Sequence, residues 1–223
     1  MTKLLSIDAD SKTPRGLKLG YRTAIMYLEP DDITCPHKSP ECHPECLVYT
    51  GMMPMARKAR DKRMYLFYNR RDVFNYKLFD EIRAFVKSTA RKNLKPVVRL
   101  NGTSDIVWEA YRIWGKTLFE HFPMVQFYDY TPNAYRLTRK LPDNYYLTYS
   151  LKENNLDKAA DVIRQGKHNV AVIFRKDIPD YWEGMPVIDG DEHDLRFLDP
   201  SGVIVGLRAK GKAKYNINGL VQD

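Results

Sequence analysis

The amino-acid sequence predicts an α/β fold, specifically an incomplete (β/α) barrel of about six or seven mostly parallel strands with covering helices. Three observations predict it. Short apolar runs alternate with longer segments of helical spacing, polar residues follow several of the apolar runs, and 223 residues are enough for one sizeable core. An open doubly wound sheet also fits the alternation, but the number of strands and the polar residues at their exits favour the barrel.

The first half of the chain contains two strands and three helices in this prediction. Residues 24–28 are a short apolar run that ends at Glu29-Pro30, which indicates a buried strand and a turn. Apolar residues then recur at helical spacing from residue 55 to about residue 91, which predicts two helices, the second capped by Asp72. After Pro96, residues 97–100 form a strand, and Ser104 or Asp105 caps a helix over residues 107–121.

The second half repeats the alternation of strands and helices. Strands are predicted at residues 125–131, 145–150, 169–175, 186–189 and 202–207. A helix over residues 156–165 lies between the second and third of these, and Gly166 stops it. The whole chain, residues 1–223, is predicted to be a single domain with an N-terminal segment (1–20), a cysteine loop (29–54) and a basic flexible tail (208–223).

Composition predicts a soluble protein of the cytoplasm. Hydrophobic residues make up 43% of the chain and charged residues 29%, an ordinary globular balance. No apolar stretch approaches the roughly 18 residues of a membrane span, and the first residues reach Asp8 too soon for a signal peptide. The net charge of +8 is spread along the chain, so it indicates a polyanionic partner only weakly.

All three cysteines of the chain lie in one proline-rich loop, as Cys35, Cys42 and Cys46. An odd number of clustered cysteines in a chain without an export signal argues against disulfides and for metal or redox use. One interpretation is a three-cysteine iron–sulfur cluster with one open position. Another is a structural zinc site completed by His37 or His43. Three unrelated thiols are less favoured, because free cysteines usually lie singly in cores.

Polar residues follow four of the predicted strands. They are Asn101, Thr103 and Asp105; Asp129 and Thr131; Thr148 and Ser150; and Asp189 and Asp191. Because the carboxyl ends of parallel strands point to one face, these groups would meet the cysteines at one pocket. The simpler interpretation is that each set caps the helix that follows it.

Three charged segments have two interpretations each. The turn at residues 189–194 contains four acids and His193, which would serve as a divalent-metal site or a general base, or would be a plain acidic turn. The basic segment 57–71, interleaved with Tyr65, Phe67 and Tyr68, would bind nucleic acid or form a solvated helix face. The basic tail at 208–214 would bind nucleic acid or be a soluble terminus.

The cysteine loop, placed after the first strand of an incomplete barrel, resembles that of radical S-adenosylmethionine (SAM) enzymes. Their usual motif is Cys-x3-Cys-x2-Cys with an aromatic residue before the last cysteine. In this chain the spacings are six and three, and Glu45 stands before the last cysteine.

The resemblance implies that Cys35, Cys42 and Cys46 bind three irons of a four-iron cluster, whose fourth iron chelates SAM. Reduction would then generate a 5′-deoxyadenosyl radical that abstracts hydrogen from a small molecule, a nucleotide or a nucleic acid. Position in the barrel predicts the remaining roles. The expected cofactor contacts are Asn101, Thr103, Asp105 and Ser150, and the expected catalytic residues are Asp129 and His193.

A second resemblance runs over most of the chain. Residues 99–105 (RLNGTSD), 127–131 (FYDYT) and 187–191 (VIDGD) are similar to segments of a family of tailed-bacteriophage proteins of about this length. This resemblance implies no particular activity. For a phage-encoded protein, the predicted compartment is the cytoplasm of the host.

Overall fold

The computed structural model describes residues 2–9 and 12–223, which form a nine-stranded sheet covered by helices. Residues 1, 10 and 11 of the N-terminal segment lie outside the described residues. The strands are β1 (Leu5–Ile7), β2 (Tyr21–Met26), β3 (Lys95–Arg99), β4 (Arg112–Ile113), β5 (Lys116–Thr117), β6 (Gln126–Thr131), β7 (Tyr145–Ser150), β8 (Val170–Phe174), β9 (Tyr181–Trp182), β10 (Met185–Asp189) and β11 (Ile204–Arg208). The helices are α1 (Thr13–Lys18), α2 (Arg57–Asn69), α3 (Arg71–Ala90), α4 (Leu118–His121), α5 (Ala134–Thr138) and α6 (Leu156–Gln165).

The sheet is mostly parallel and its strands lie in the order β1-β2-β3-β6-β7-β8-β11-β10-β9. Neighbours from β2 to β10 pair in parallel, whereas β1 and β9 pair antiparallel at the two edges. The predicted α/β class is confirmed. The predicted count of six or seven strands is wrong, because the edge strands of three and two residues are too short to give a recognisable apolar run.

The strand order is compatible with an incomplete barrel. From β2 through β8 the strands are neighbours in the same order as in the chain, whereas a doubly wound sheet reverses its order near the middle. In the described part of the chain, no pairing joins β1 to β9 and closes the sheet into a ring. The incomplete barrel therefore stays a prediction.

Helices α2 and α3 occupy the region where two helices were predicted. The core-facing residues of α3 recur at helical spacing and are Phe74, Leu78, Ile82 and Phe85. Asp72 is not the N-cap of this helix. The N-cap residue is Arg70, whose φ is −139° and whose side chain makes no capping hydrogen bond. Asp72 lies in the first turn instead, where a carboxylate interacts favourably with the helix dipole.

The helix predicted over residues 107–121 is wrong. The chain there forms a 3₁₀ turn at Trp108–Ala110, the hairpin β4–β5 and the short α4. Trp114 and Gly115 between the two strands have φ of 49° and 81°, a left-handed pair that makes a tight turn and ends any helix. A reciprocal pair of hydrogen bonds between Thr117 and Glu120 then starts α4.

Several predicted elements agree closely with the structure. Strand β7 and helix α6 have the predicted bounds, and Gly166 ends α6 in a left-handed conformation. Strands β6, β8, β10 and β11 begin and end within two residues of the prediction. The C-terminal segment predicted to be a flexible tail is packed: Gln222 pairs with Phe174 of β8, and Ala209, Ala213 and Val221 form a small cluster against Ile173.

Side chains alternate between the two faces of the sheet. Val98 and Phe127 belong to the large core under the helices. Their neighbours Val97 and Tyr128 face the other side, where Leu195 packs on them. Among the described helices, none has both the length and the apolar character required to cross a membrane.

Candidate functional site

A cavity of about 290 Å³ lies at the carboxyl-terminal ends of the parallel strands. The segments that follow β2, β3, β6, β7 and β11 all contribute to its lining, as in other parallel α/β folds. We call two parts of the lining the cysteine wall and the charged wall. The cysteine wall consists of Cys35, Cys42, His43, Glu45 and Cys46. The charged wall consists of Lys12, Arg99, Asp191, Asp194, Arg208 and Lys210.

The start of the cysteine loop is fixed to the ends of β2 and β3. The Thr34 hydroxyl donates a hydrogen bond to the Glu29 carbonyl at 2.9 Å, and the Asp105 amide donates to the Thr34 carbonyl at 2.7 Å. The Cys35 thiol lies 3.6 Å from the Thr103 carbonyl, a weak hydrogen bond. Cys35 is therefore held beside the loop that follows β3.

The middle of the cysteine loop is fixed from the other side of the cavity mouth. The Glu153 carboxylate accepts hydrogen bonds from the Ser39 hydroxyl at 2.7 Å and the Glu41 amide at 3.0 Å. Asn216 donates a hydrogen bond to Glu41 at 2.6 Å. The residues between the cysteines are thus anchored to two distant parts of the chain, after β7 and near the C-terminus.

The three thiols are half-buried, free and close enough to affect one another's ionisation. Burial, together with the nearby Cys46, Asp105 and Cys42, raises the pKa of Cys35 to about 12. Burial also raises the pKa of Cys46, with a contribution from Cys42 and an opposing one from Lys152. A nearby positive group such as a metal centre would favour the thiolate forms of Cys35 and Cys46, which are the forms that bind metals.

The side chains do not converge on a single metal ion. In residues 2–9 and 12–223, no group of three or more His, Cys, Asp or Glu side chains is arranged to hold one ion. Tetrahedral zinc with bonds of about 2.3 Å requires sulfur atoms about 3.8 Å apart. His43 lies on the cysteine wall, whereas His37 is exposed and accepts a hydrogen bond from Asn133 at 3.0 Å. Of the two alternative zinc ligands, His43 is therefore the one beside the cysteines.

Asn101 lines the cavity but uses its side-chain polar atoms inside the protein. Its carbonyl oxygen accepts hydrogen bonds from Ser104 at 2.9 Å, the Ile106 amide at 3.0 Å and the Trp108 indole at 3.1 Å. Its amide nitrogen donates to the Ile106 carbonyl at 2.9 Å and to Asp129 at 3.3 Å. Asn101 therefore shapes the loop after β3.

Thr103 and Ser150, also predicted as cofactor contacts, both line the cavity. The Thr103 hydroxyl donates to the Leu28 carbonyl at 2.6 Å, so it too holds the loop in place. Ser150 ends β7, and Lys152 follows it on the lining, close enough to Cys46 to lower the pKa of that thiol. The ammonium of Lys152 has no ion-pair partner among the described residues, so it is a cation available to a ligand.

The two carboxylate oxygens of Asp105 differ in their hydrogen bonding. Its Oδ1 accepts a hydrogen bond from the buried Arg136 guanidinium at 2.6 Å. Its Oδ2 is buried and makes no hydrogen bond of normal geometry in the described part of the chain, although the Thr131 hydroxyl lies near enough to lower the pKa of the carboxyl. Burial raises the pKa of Asp105 even though Arg136 opposes the shift. Because the residue lines the cavity, this oxygen is a candidate acceptor for a ligand.

Arg136 supports Asp105 from behind. Its guanidinium makes two hydrogen bonds of 2.8 Å to Glu109 and one of 2.8 Å to the Tyr145 hydroxyl. Tyr145 in turn donates to Asp129 at 2.9 Å. The sequence gives no signal for Arg136, which lies on the short α5.

The two residues predicted to be catalytic do not line the cavity. Asp129 is fully buried behind it, where the Asn101 amide donates to its Oδ1 at 2.7 Å. Burial raises the pKa of Asp129 to about 7, against the effect of that amide. His193 is half-buried, and its Nδ1 accepts a hydrogen bond from the Leu195 amide at 3.2 Å. Asp194, the next residue, is the one that reaches the cavity.

The inner part of the charged wall centres on Asp194. Arg99 donates to its carboxylate at 2.9 Å, and the hydroxyls of Tyr128 and Tyr130 donate at 2.7 and 3.1 Å. The Arg99 guanidinium also lies 4.7 Å from the centre of the Tyr130 ring. A charged residue inside the apolar run 97–100 is the sequence signal that would have identified Arg99.

The outer part of the charged wall centres on Asp191. Three cations approach this carboxylate: Lys12 at 3.1 Å, and Arg208 and Lys210 at 3.5 Å each. Burial would raise the pKa of Asp191, but the Arg208 amide, Lys12 and Lys210 lower it to about 2. Asp189 pairs with Arg208 at 2.9 Å. These two acids of the 189–194 turn therefore hold lysine and arginine side chains.

The basic segment 57–71 divides into buried and exposed residues. Arg60 binds Glu29 at 2.6 Å, and Arg63 donates to the Lys3 and Tyr27 carbonyls at 2.9 Å each, so both arginines anchor α2. The exposed basic and aromatic residues of the segment are Arg57, Lys58, Lys62, Tyr65, Tyr68 and Arg70. A nucleic acid on this helix would contact only the exposed set.

Comparison with known proteins gives one match. A family model described as Gene product 88 matches residues 3–220, almost the whole chain. No curated protein and no solved structure matches.

Proposed function

We propose that this chain, which belongs to the Gene product 88 family of bacteriophage proteins, is a radical-SAM-like iron–sulfur enzyme of the host cytoplasm. Cys35, Cys42 and Cys46 hold an open-site four-iron cluster, and the rest of the cavity holds SAM and a substrate. One observation carries the proposal: all three cysteines of the chain line one cavity at the carboxyl edge of a parallel sheet. The reducing cytoplasm keeps such thiols available.

The donor set fits a cluster better than a single zinc ion. Cysteines that bind a four-iron cluster are ligands of separate irons, so their sulfur atoms need not converge on one point. The described side chains lack the convergence that one zinc ion requires. Three thiols would also leave one iron open to a ligand. In the finer fold proposal, an incomplete barrel, that ligand would occupy the cavity that the cysteines line.

Two charged groups on the lining suit the amino-acid part of SAM. The Asp105 Oδ2, buried and without a hydrogen bond of normal geometry among the described residues, would accept hydrogen bonds from an ammonium group. Lys152, close to Cys46, would pair with a carboxylate. We assign these two residues to SAM, with the Ser150 hydroxyl as a further contact. Asn101 and Thr103, whose polar atoms are used within the protein, position the loop that carries Asp105.

The protein orients the reactants and excludes water around them. When bound, the reduced cluster supplies the electron that cleaves SAM and starts radical chemistry. Apolar lining from Leu47, Leu151 and Ile173 lowers the access of water to this part of the cavity. Asp129 and His193 act indirectly, since neither lines the cavity: Asp129 positions Asn101, and His193 positions the turn that carries Asp194.

Anaerobic purification followed by metal analysis tests the proposal. We expect a brown protein with about four irons and four sulfides per chain. Substitution of any one cysteine by serine should abolish the cluster, whereas the matched variants His37→Ala and His43→Ala should retain it. A colourless protein with one tightly bound zinc would refute the proposal.

A second candidate is a zinc-stabilised βα-barrel protein that binds nucleic acid without radical chemistry. It is favoured by the position of His43 on the cysteine wall, where the imidazole would be the fourth ligand beside the three thiolates. The exposed basic and aromatic residues of α2 would contact the nucleic acid. On this account His43→Ala should release zinc and lower the stability of the fold, because metal binding is coupled to folding.

A further inference from the structure

The charged wall carries more positive than negative groups. Its four cations are Lys12, Arg99, Arg208 and Lys210, and its two acids are Asp191 and Asp194. Asp189, which pairs with Arg208, raises the acids to three. In the described residues this part of the cavity therefore has an excess of one positive charge, in a concave site where a charge excess attracts an anion strongly.

Arg208 and Lys210 in the outer part have donors to spare, whereas Lys12 also donates a hydrogen bond to the Gly190 carbonyl at 2.8 Å. One carboxylate, that of Asp191, is shared by Lys12, Arg208 and Lys210. The Lys210 ammonium and the Arg208 guanidinium carry three and five N–H donors, more than their contacts with Asp191 and Asp189 use. Arg208 and Lys210 also keep 45% and 50% of their side-chain surface exposed, so both can turn toward a ligand.

The inner part offers a fixed donor. Arg99 is held by Asp194 and by the Tyr130 ring, yet its Nε is buried and has no hydrogen-bond partner among the described residues. A buried N–H without a partner is unfavourable unless a ligand oxygen accepts from it. The Tyr130 ring beside it, together with Ile173 and Leu207 of the cavity lining, provides apolar surface on which an organic ring could lie.

We propose that the charged wall binds a phosphate group, so that the substrate of this cavity is a nucleotide or the phosphorylated end of a nucleic acid. Tetrahedral phosphate oxygens accept from several cations at once, and Arg99, Arg208 and Lys210 line one cavity. The inference rests on the proposed function and deepens it, since it names the substrate class of the same cavity. Within the basic segment 208–214, only part is assigned to this site. Arg208 and Lys210 line the cavity, whereas Lys212 and Lys214 are exposed and lie outside its lining.

Calorimetric titration of the full chain with inorganic phosphate and adenosine monophosphate tests the inference. Lys210→Gln and Arg208→Gln should each weaken binding at least about tenfold, as expected for the loss of a charge-assisted hydrogen bond. The matched controls Lys212→Gln and Lys214→Gln remove the same charge from the same tail outside the cavity, and should change the affinity less than about twofold. Thermal unfolding of each variant establishes that it is folded.

Short single-stranded oligonucleotides with and without a 5′-phosphate distinguish the two sources of phosphate. Binding of the mononucleotide alone identifies a nucleotide substrate, and tighter binding of the 5′-phosphorylated oligonucleotide identifies a nucleic-acid end. The inference is overturned if the wild type binds none of these probes, or if the control variants lose as much affinity as Lys210→Gln. Iron content, measured on the same samples, reports separately on the proposed function, because phosphate binding does not require the cluster.

Discussion

The two walls of the cavity differ in how far the protein itself satisfies them. In the charged wall the carboxylates of Asp191 and Asp194 hold cations or hydroxyl groups at 2.7–3.5 Å. In the cysteine wall the Cys35 thiol makes a weak hydrogen bond of 3.6 Å and the Cys46 thiol accepts one from the Val48 amide, yet burial raises the pKa values of both thiols. Most polar groups of the charged wall are therefore paired within the protein, with the Arg99 Nε as an exception, whereas burial disfavours the thiolate forms of Cys35 and Cys46 on the cysteine wall.

Removal of Arg136 should have the largest effect, because this side chain supports the loop next to the cysteine wall. Arg136→Met leaves Asp105 and Glu109 buried without their cation. We expect a loss of about 3–5 kcal/mol in the free energy of unfolding, measured with urea, and lower iron content. The exposed Arg139→Met is the control and should cost less than about 0.5 kcal/mol. A loss below about 1 kcal/mol for Arg136→Met would contradict the assigned role.

A smaller effect is expected from Gly102→Ala in the same loop. An added Cβ would lie 2.6 Å from the Met26 carbonyl oxygen and 2.7 Å from the Ile25 side chain, so the loop must shift. We expect a loss of about 1–3 kcal/mol and weaker binding of SAM, while phosphate binding is retained. Gly16→Ala in α1, where the nearest atom is 3.7 Å away, is the matched control and should not destabilise the protein. Equal effects of the two substitutions would argue against tight packing at Gly102.

The sequence predicts helices and strands well where their ends carry clear local signals. It predicts them poorly where apolar spacing does not reveal the backbone conformation, and it does not reveal contacts between distant residues. Strand β7 and helix α6 are predicted to the residue, because an apolar run or helical spacing ends at an evident boundary such as Gly166. The helix over residues 107–121 fails because Trp114 and Gly115 adopt left-handed conformations that apolar spacing does not reveal. At the site, the positions of the cysteines and of Asp105 after their strands are readable from the sequence. The Arg136 behind Asp105 is not, since it comes from a short helix with no sequence signal.

On the charged wall, Asp191→Asn should increase the affinity for phosphate. The substitution removes the carboxylate shared by three cations. We expect phosphate to bind roughly threefold to tenfold more tightly, because its attraction to those cations no longer competes with Asp191. Iron content should be unchanged. The exposed Asp177→Asn serves as the control, and weaker phosphate binding by Asp191→Asn would contradict the proposed site.

The smallest effect is the pH dependence contributed by Asp191. Its pKa is about 2 in the folded protein, below the ordinary value of 3.8, so the folded state favours the ionised carboxylate. The stability it contributes is therefore fully present above pH 3.8 and is lost as the pH falls through about 2. The difference in unfolding free energy between wild type and Asp191→Asn should shrink between pH 5 and pH 2. A difference that is constant over this range would show that Asp191 is not held by its cations.

The open position of the cluster is the central claim, and electron paramagnetic resonance of the reduced protein with and without SAM tests it most directly. We expect the wild type to give the signal of a reduced four-iron cluster, and SAM to change that signal because it binds the iron that has no cysteine ligand. Lys152→Ala should raise the SAM concentration required for the change. An absent signal, or a signal that SAM leaves unaltered, would contradict the claim that the cysteine wall holds an open cluster.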